Sequence, residues 1–441
     1  MKTKICKTME YFKVEEEGDQ REPVSPTGQF LNSEALSLCI LGVLELGVPI
    51  SIDESQVDSL VKEVLLPTNP RFSSIVVEDE NGEKQWKRVE VKIKDHIKTP
   101  IFPSGLSPKI CDKYIDDYIS DIAIEKLPAT QPLWQIHLIN YPASNSNAAS
   151  TIIFKFHHSI GDGFSLIGVL LSCLQRADDP SLPLTFPSVP LSSTNKDDMS
   201  HHSNGLFKNV SRIFSVVTNT VSDFYWSIVK SSLLEDDLSP IRSGISGVEF
   251  RKQRGSTALV LLNSREFRGY VSIKEMIKPD SKSPWGNCFA FLHVPLPKLT
   301  DDDSNSYSNP LEFVWKTREI INAQKSSLGV YLTGRLLQVL KKLRGPEAAA
   351  RYIHGTLKNV SMGITSLMGP VEPMTLANHP VTGLYFMVVG APHSLVTTIM
   401  SYNGKLRIAI GTEKGLIDAQ KLKSCIENAF QTILKAACDD T

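Results

Sequence analysis

An excess of charge of either sign is what this 441-residue chain most plainly lacks: 47 Lys and Arg stand against 48 Asp and Glu, a formal net of −1. Such a balance gives no overall pull toward nucleic acid or an anionic surface. Cysteine is sparse and unpatterned. Cys6, Cys39, Cys111, Cys173, Cys288, Cys425 and Cys438 are scattered and odd in number, and none forms a C-x-x-C pair. That argues against a zinc knuckle or a disulfide framework and fits a reducing, cytosol-facing compartment. No apolar run approaches the length a spanning helix needs. The opening MKTKICKTMEYFKVEEEGDQ has no apolar core and does not read as a secretory signal.

The chain is too long for one ordinary core, so two domains are expected. Residues 1–21 are charged and read as a loose N-terminus. Residues 22–177 read as a mixed α+β domain. Its strands are expected at 36–48, 71–77, 85–93, 133–139 and 151–156, its helices at 55–66, 109–127 and 164–174, and Asn81-Gly82 marks a hairpin. Residues 178–246 read as a linker. Pro180, Pro183, Pro187 and Pro190 open it, and a proline-free stretch at 206–234 follows, with apolar residues every third or fourth position. That stretch is either a long helix packed across the two domains or a helix lying in a membrane interface. Residues 247–441 read as a second α+β domain. Strands are expected at 257–262, 288–294, 381–389, 395–402 and 406–411, and helices at 309–329, 331–343 and 418–437. This order roughly echoes the first half.

One stretch concentrates chemistry. Residues 151–174, TIIFKFHHSIGDGFSLIGVLLSCL, read as a buried strand, a tight polar loop and an apolar helix. Two histidines, His157 and His158, are thereby held at a strand end on rigid scaffolding. Successive strand residues point to opposite sides, so only one of the two can face a given cleft. A neutral imidazole there can take a proton from an alcohol. The pair by itself is equally compatible with satisfied core histidines, and a metal site would need further ligands at usable spacing. His137 lies on a different strand, no acidic ligand motif accompanies it, and no metal is expected. His201-His202 falls in the polar linker and reads as solvated. Asp162 sits where an N-cap belongs, so it either caps the following helix or pairs with a remote arginine.

The combination HHxxxDG (His157 to Gly163) between a β-branched strand and an apolar helix resembles the CoA-dependent acyltransferase superfamily. Within it the chain is similar to the plant wax ester synthase/diacylglycerol acyltransferases. The supporting residues span nearly the whole chain: EPVSPT from Glu22, NPRFSS from Asn69, Pro132-Leu133-Trp134, Trp285-Gly286-Asn287, Met368-Gly369-Pro370, NHPVTGLYF from Asn378 and SYNGKLR from Ser401. The DFGWG motif of the plant aromatic acyltransferases is absent, which disfavours that branch.

The resemblance implies two chloramphenicol-acetyltransferase-like domains, each a mixed β-sheet flanked by helices, with a tunnel between them. It implies transfer of a fatty acyl group from acyl-CoA, as co-substrate, to a long-chain alcohol or diacylglycerol, with no other cofactor. It gives the base to His158, leaves His157 as structural support, and has Asp162 and Gly163 shape the loop. It associates Pro132, Leu133 and Trp134 with the acyl pocket, though Trp134 on an alternating strand is as readily plain core. Asn287 and Ser366 are candidates for the oxyanion donor, and each also reads as a loop residue satisfying nearby backbone. The resemblance places the protein at the cytosolic face of the endoplasmic reticulum membrane, with the plasma membrane as the other placement. Nucleic acid is not an expected partner.

One departure stands out. Family members carry an Asn-Asp dipeptide in an early strand-helix segment of the second domain, and this chain has no Asn-Asp dipeptide. The segment is expected to be missing near 250–256, with weakened stability, activity or both.

Overall fold

The computed structural model describes residues 21–50, 54–142, 148–185, 205–232, 234–236, 239, 241, 256–265, 273–278, 281, 283–297 and 309–439. The expected loose N-terminus, up to residue 20, and residues 250–255, where a segment is expected to be missing, lie outside these residues. Two mixed sheets, each flanked by helices, organise them into a two-domain α+β fold.

The larger sheet has seven strands. The first-half strands in it are β2 (Cys39–Leu46), β5 (Ile97–Lys98), β6 (Trp134–Ile139), β7 (Ser150–His157) and β8 (Gln175–Arg176). β7 is an interior strand, antiparallel to β6 on one side and β2 on the other. All its residues are buried, as the run of β-branched and aromatic side chains requires. Alternation splits them between two cores. Ile152, Phe154 and Phe156 join the core that holds Leu166, Leu170 and Leu171 of helix Gly163–Ser172. Ile153 packs with Ile115, Ile119 and Ile122 of helix Pro108–Ile124. Lys155 is fully buried yet satisfied, because its ammonium donates to the Ile122 and Glu125 carbonyls (2.7 and 2.6 Å) where that helix ends.

The sheets do not follow the expected division at residue 247. Strands β12 (Met374–Leu376) and β13 (His379–Val389) come from the second half but complete the first sheet, β13 lying antiparallel to β2. A continuous apolar strand needs cover on both faces and both edges, and β2 supplies β13 with a fully buried neighbour. The second sheet has five strands in the order β10-β9-β11-β14-β15. These are β9 (Thr257–Asn263), β10 (Phe289–Pro295), β11 (Met362–Met368), β14 (Leu395–Tyr402) and β15 (Lys405–Thr412). A small third sheet joins β1 (Arg21–Pro23), β4 (Lys84–Arg88) and β3 (Ser74–Glu78). Helix Pro346–Lys358 and strand β11 have no counterpart in the sequence reading.

The proline-free stretch is a helix, Gly205–Ser232. Its packed side is not the apolar one. Thr220, Ser227, Val229, Lys230 and Ser231 are buried, whereas Val217, Val221 and Tyr225 stand 54%, 64% and 59% exposed. Glycines permit the close packing. A Cβ on Gly355 would strike the Ser231 carbonyl, and one on Gly329 would lie 2.7 Å from Asp223 Cβ. Among its described side chains, the helix therefore meets its neighbours largely through small and polar residues and turns Val217, Val221 and Tyr225 outward.

Candidate active site

β7 ends at His157, and its last two backbone bonds tie the site to the sheet: His157 N–H donates to Leu133 O (2.9 Å) and His158 N–H to Leu38 O (2.8 Å). The chain then turns through Ser159 to Gly161 and enters helix Gly163–Ser172. Asp162 is its N-cap, accepting from Ser165 N–H at 2.9 Å.

The two histidines diverge as alternation requires. His157 is closed off. Its Nδ1 accepts from Ser159 N–H (3.2 Å) and lies 2.7 Å from Ser159 Oγ, and its Nε2 lies 3.2 Å from Ser37 Oγ. Burial, reinforced by the neighbouring imidazole and two lysines, pushes its pKa down to about 3, so it is neutral.

His158 faces the second half of the chain. Its Nδ1 lies 2.9 Å from Asn287 Oδ1, and Asn287 Nδ2 donates to the His158 carbonyl at 2.9 Å. The second bond fixes the amide orientation. Oδ1, which can only accept, then requires the proton on Nδ1, which leaves the Nε2 lone pair open. None of the hydrogen bonds among the described residues engages that nitrogen. Burial lowers the His158 pKa, while the Asp162 charge and the Asn287 bond oppose the drop. The result is a neutral imidazole of defined tautomer, 5.3 Å from the Phe289 ring.

Asp162 also takes the remote arginine. Its carboxylate meets Arg265 Nη1 at 2.7 Å and Nη2 at 3.1 Å, and accepts Cys288 N–H at 2.9 Å. The arginine side chain is 0% exposed and the aspartate side chain 7%. Arg265 spends its other donors on the Pro284 and Gly286 carbonyls (3.1 and 3.0 Å) and Ser165 Oγ (3.0 Å). Burial alone would raise the Asp162 pKa, but Arg265 and the Ser165 and Cys288 N–H groups hold it below the ordinary carboxylate range. Arg265 carries no local motif, and the sequence reading does not name it.

The tripeptide Trp285-Gly286-Asn287 clamps the loop one residue at a time. Trp285 Nε1 donates to Ile160 O (2.9 Å), Gly286 O accepts Asp162 N–H (3.2 Å), and Asn287 holds His158. Gly286 has φ +126°, a conformation that favours glycine. From the other side, Arg71 of the NPRFSS segment donates to the same Ile160 carbonyl (3.1 Å) and pairs with Glu22 of EPVSPT at 2.6 Å.

The other expected site residues take the following places. Asn287 gives one amide N–H to the His158 carbonyl and its Oδ1 to His158 Nδ1, so in the structure it holds the base. Ser366 is exposed. It lies on β11 next to Leu367, whose side chain packs 3.2 Å from where a Gly163 Cβ would stand, so Ser366 points away from the loop. Pro132, Leu133 and Trp134 back the site as core. Trp134 is fully buried, donates from Nε1 to Phe72 O (2.9 Å) and stacks on His96 at 4.1 Å. The missing side chain of Gly163 lets Leu367 approach the start of the helix.

Comparison with known proteins gives the reaction class. The wax ester synthase/diacylglycerol acyltransferase catalytic domain matches residues 54–237, and the WS/DGAT C-terminal domain matches residues 285–434. Wax ester synthase/diacylglycerol acyltransferase 4 of Arabidopsis thaliana is 27% identical over 491 positions, covering 96% of this chain and 91% of that protein. Wax ester synthase/diacylglycerol acyltransferase 6 of the same plant is 25% identical, with 97% and 95% covered. Among solved structures, the wax ester synthase/diacylglycerol acyltransferase from Marinobacter aquaeolei VT8 is 15% identical, covers 94% of this chain and 100% of its own, and has a TM-score of 0.49. The chain is an acyltransferase. It belongs to the wax ester synthase/diacylglycerol acyltransferase family.

Proposed function

We propose that the protein transfers a fatty acyl group from acyl-CoA to the hydroxyl of a long-chain alcohol, giving a wax ester, or of diacylglycerol, giving triacylglycerol. The observation that carries this reading is the Asn287–His158 pair, which puts the imidazole proton on Nδ1 and leaves Nε2 as a base. The acceptor hydroxyl gives its proton to Nε2 as its oxygen attacks the thioester carbonyl. The tetrahedral intermediate collapses, the carbon–sulfur bond breaks, and the CoA thiolate takes the proton back from His158. No covalent acyl-enzyme is needed, because donor and acceptor meet directly in one ternary complex. His157 supports the strand end and takes no part in proton transfer.

The reading extends to the membrane. No helix among the described residues is long and apolar enough to cross one. The outward Val217, Val221 and Tyr225 of helix Gly205–Ser232 offer an apolar face that could rest in an interface, at the cytosolic side of the endoplasmic reticulum. The test is an acceptor panel with labelled palmitoyl-CoA: hexadecanol, a diacylglycerol and a small water-soluble alcohol. Ester product with either lipid acceptor supports the assignment. Product with the water-soluble alcohol alone, or free fatty acid alone, would overturn it.

A further inference from the structure

A cavity of about 430 Å³ lies among the end of helix Gly205–Ser232, strand β10 and helices Pro310–Ser326 and Gly329–Arg344. That is the size range of small-molecule sites. Its wall approaches His158. Phe291, which lines it, has its ring 5.5 Å from that of Phe289, and Phe289 has its ring 5.3 Å from the His158 imidazole. Phe289 thus links the candidate base to Phe291 in the wall of this chamber.

The lining has a definite chemistry. Its carboxylates are Asp223, Glu235 and Asp236, and its one lysine among the described residues, Lys230, is paired with Asp236. The phosphates of a CoA nucleotide would meet acidic walls there. Two lining polar atoms are buried and have no hydrogen-bond partner among the described residues: Gln324 Oε1 and His293 Nε2. Gln324 Nε2 is committed to the His293 carbonyl, so the free atom is the accepting oxygen. A hydroxyl satisfies such an acceptor without bringing charge. Trp226, which also lines the cavity, is 44% exposed and sits beside Tyr225 on the outward apolar face of the long helix.

We propose that this cavity admits the uncharged, hydroxyl-bearing lipid acceptor, that it enters beside Trp226, and that Phe289 is the ring dividing the chamber from His158. The anionic thioester donor then reaches His158 by a different route. This rests on the function proposed above and adds which substrate uses which entrance.

The experiment measures KM separately for hexadecanol and palmitoyl-CoA in the full chain carrying Thr333→Phe, Gln324→Leu or Glu235→Lys, with folding checked by thermal melting. Filling the chamber with Thr333→Phe is expected to raise the hexadecanol KM about tenfold. Removing the acceptor atom with Gln324→Leu is expected to raise it about fivefold. The palmitoyl-CoA KM stays within about twofold in both. Glu235→Lys leaves palmitoyl-CoA KM unchanged. A rise in palmitoyl-CoA KM in the first two variants, a fall in it with Glu235→Lys, or no change in hexadecanol KM overturns the proposal. Quenching of Trp226 by hexadecanol, with Trp226→Phe as the control, reads occupancy without turnover. Quenching that Thr333→Phe abolishes, in a protein that makes no ester, would leave the entrance standing and sink only the proposed reaction. Quenching that Thr333→Phe leaves intact would sink the entrance.

Discussion

At the scale of single residues, the site depends on what Asn287 does to His158. The amide fixes the tautomer, and its oxygen also favours the protonated ring, opposing the fall in pKa that burial causes. Asn287→Leu therefore should lower the His158 pKa further and free the ring to rotate. The expected result is a fall in kcat of about 10²-fold or more, with the acid limb of the rate profile moved to lower pH. Asn287→Asp puts a carboxylate against Nδ1–H, which raises the pKa and moves that limb to higher pH. A pH–rate profile of both variants checks the two opposite shifts. The Asp162–Arg265 pair sets a second expectation. It is buried and fully bonded, so Arg265→Leu strands a charge in the interior. The loss should be about 3–5 kcal/mol in a urea melt. Without its arginine Asp162 also titrates higher, so the part of the acid loss of stability that comes from protonating Asp162 should be smaller in the variant than in the wild type.

At the scale of elements, the long helix inverts the usual arrangement. Its contacts with helices Gly329–Arg344 and Pro346–Lys358 use Thr220, Ser227 and Ser231 against Gly329 and Gly355, and Val217, Val221 and Tyr225 are left outside. An apolar strip at i, i+4 and i+8 costs solubility unless something covers it. Replacing all three by serine should weaken binding to neutral phospholipid vesicles, read by sedimentation, by about 10²-fold or more, at roughly 1 kcal/mol or more for each large side chain. Stability in buffer should hardly change. Equal sedimentation of both proteins would remove the membrane role from this face. The helix also marks a limit of sequence reading. Its period shows in the residues, but periodicity cannot tell which side packs, because glycines on other helices decide that. The strand-loop-helix around His158 was legible for the opposite reason: strand, turn and cap are all local. The partners of that loop were not. Asn287 lies 129 residues from His158 and Arg265 lies 103 from Asp162, and a lone arginine carries no spacing signal. Helix Pro346–Lys358 did carry one, the Gly345-Pro346 start followed by an alanine-rich turn. The placement of β13 beside β2 did not, since alternation announces a strand without naming its sheet.

At the scale of the whole molecule, buried histidines are unusually prominent. Burial pushes the pKa of His157 down to about 3, and of His137, His293 and His393 down to about 4. Each binds its proton more readily in the unfolded chain, where its pKa is about 6.5. Their contribution is complete above that value and is lost as pH falls toward 4, at about 1.4 kcal/mol per pH unit for each group. Thermal melting should thus fall steeply between about pH 6.5 and 4, before most carboxylates protonate. A melting temperature level across that window would contradict the burial of these rings. Length matters at this scale too. The alignment with the first Arabidopsis relative runs over 491 positions against 441 residues here, so at least 50 of its positions have no residue in this chain.

The most direct measurement is ester formation from labelled palmitoyl-CoA and a lipid acceptor by the wild type and by His158→Ala, at equal folded concentration. The account predicts product from the wild type and a loss of about 10²–10⁴-fold in kcat for the variant. Equal rates from the two proteins would contradict it.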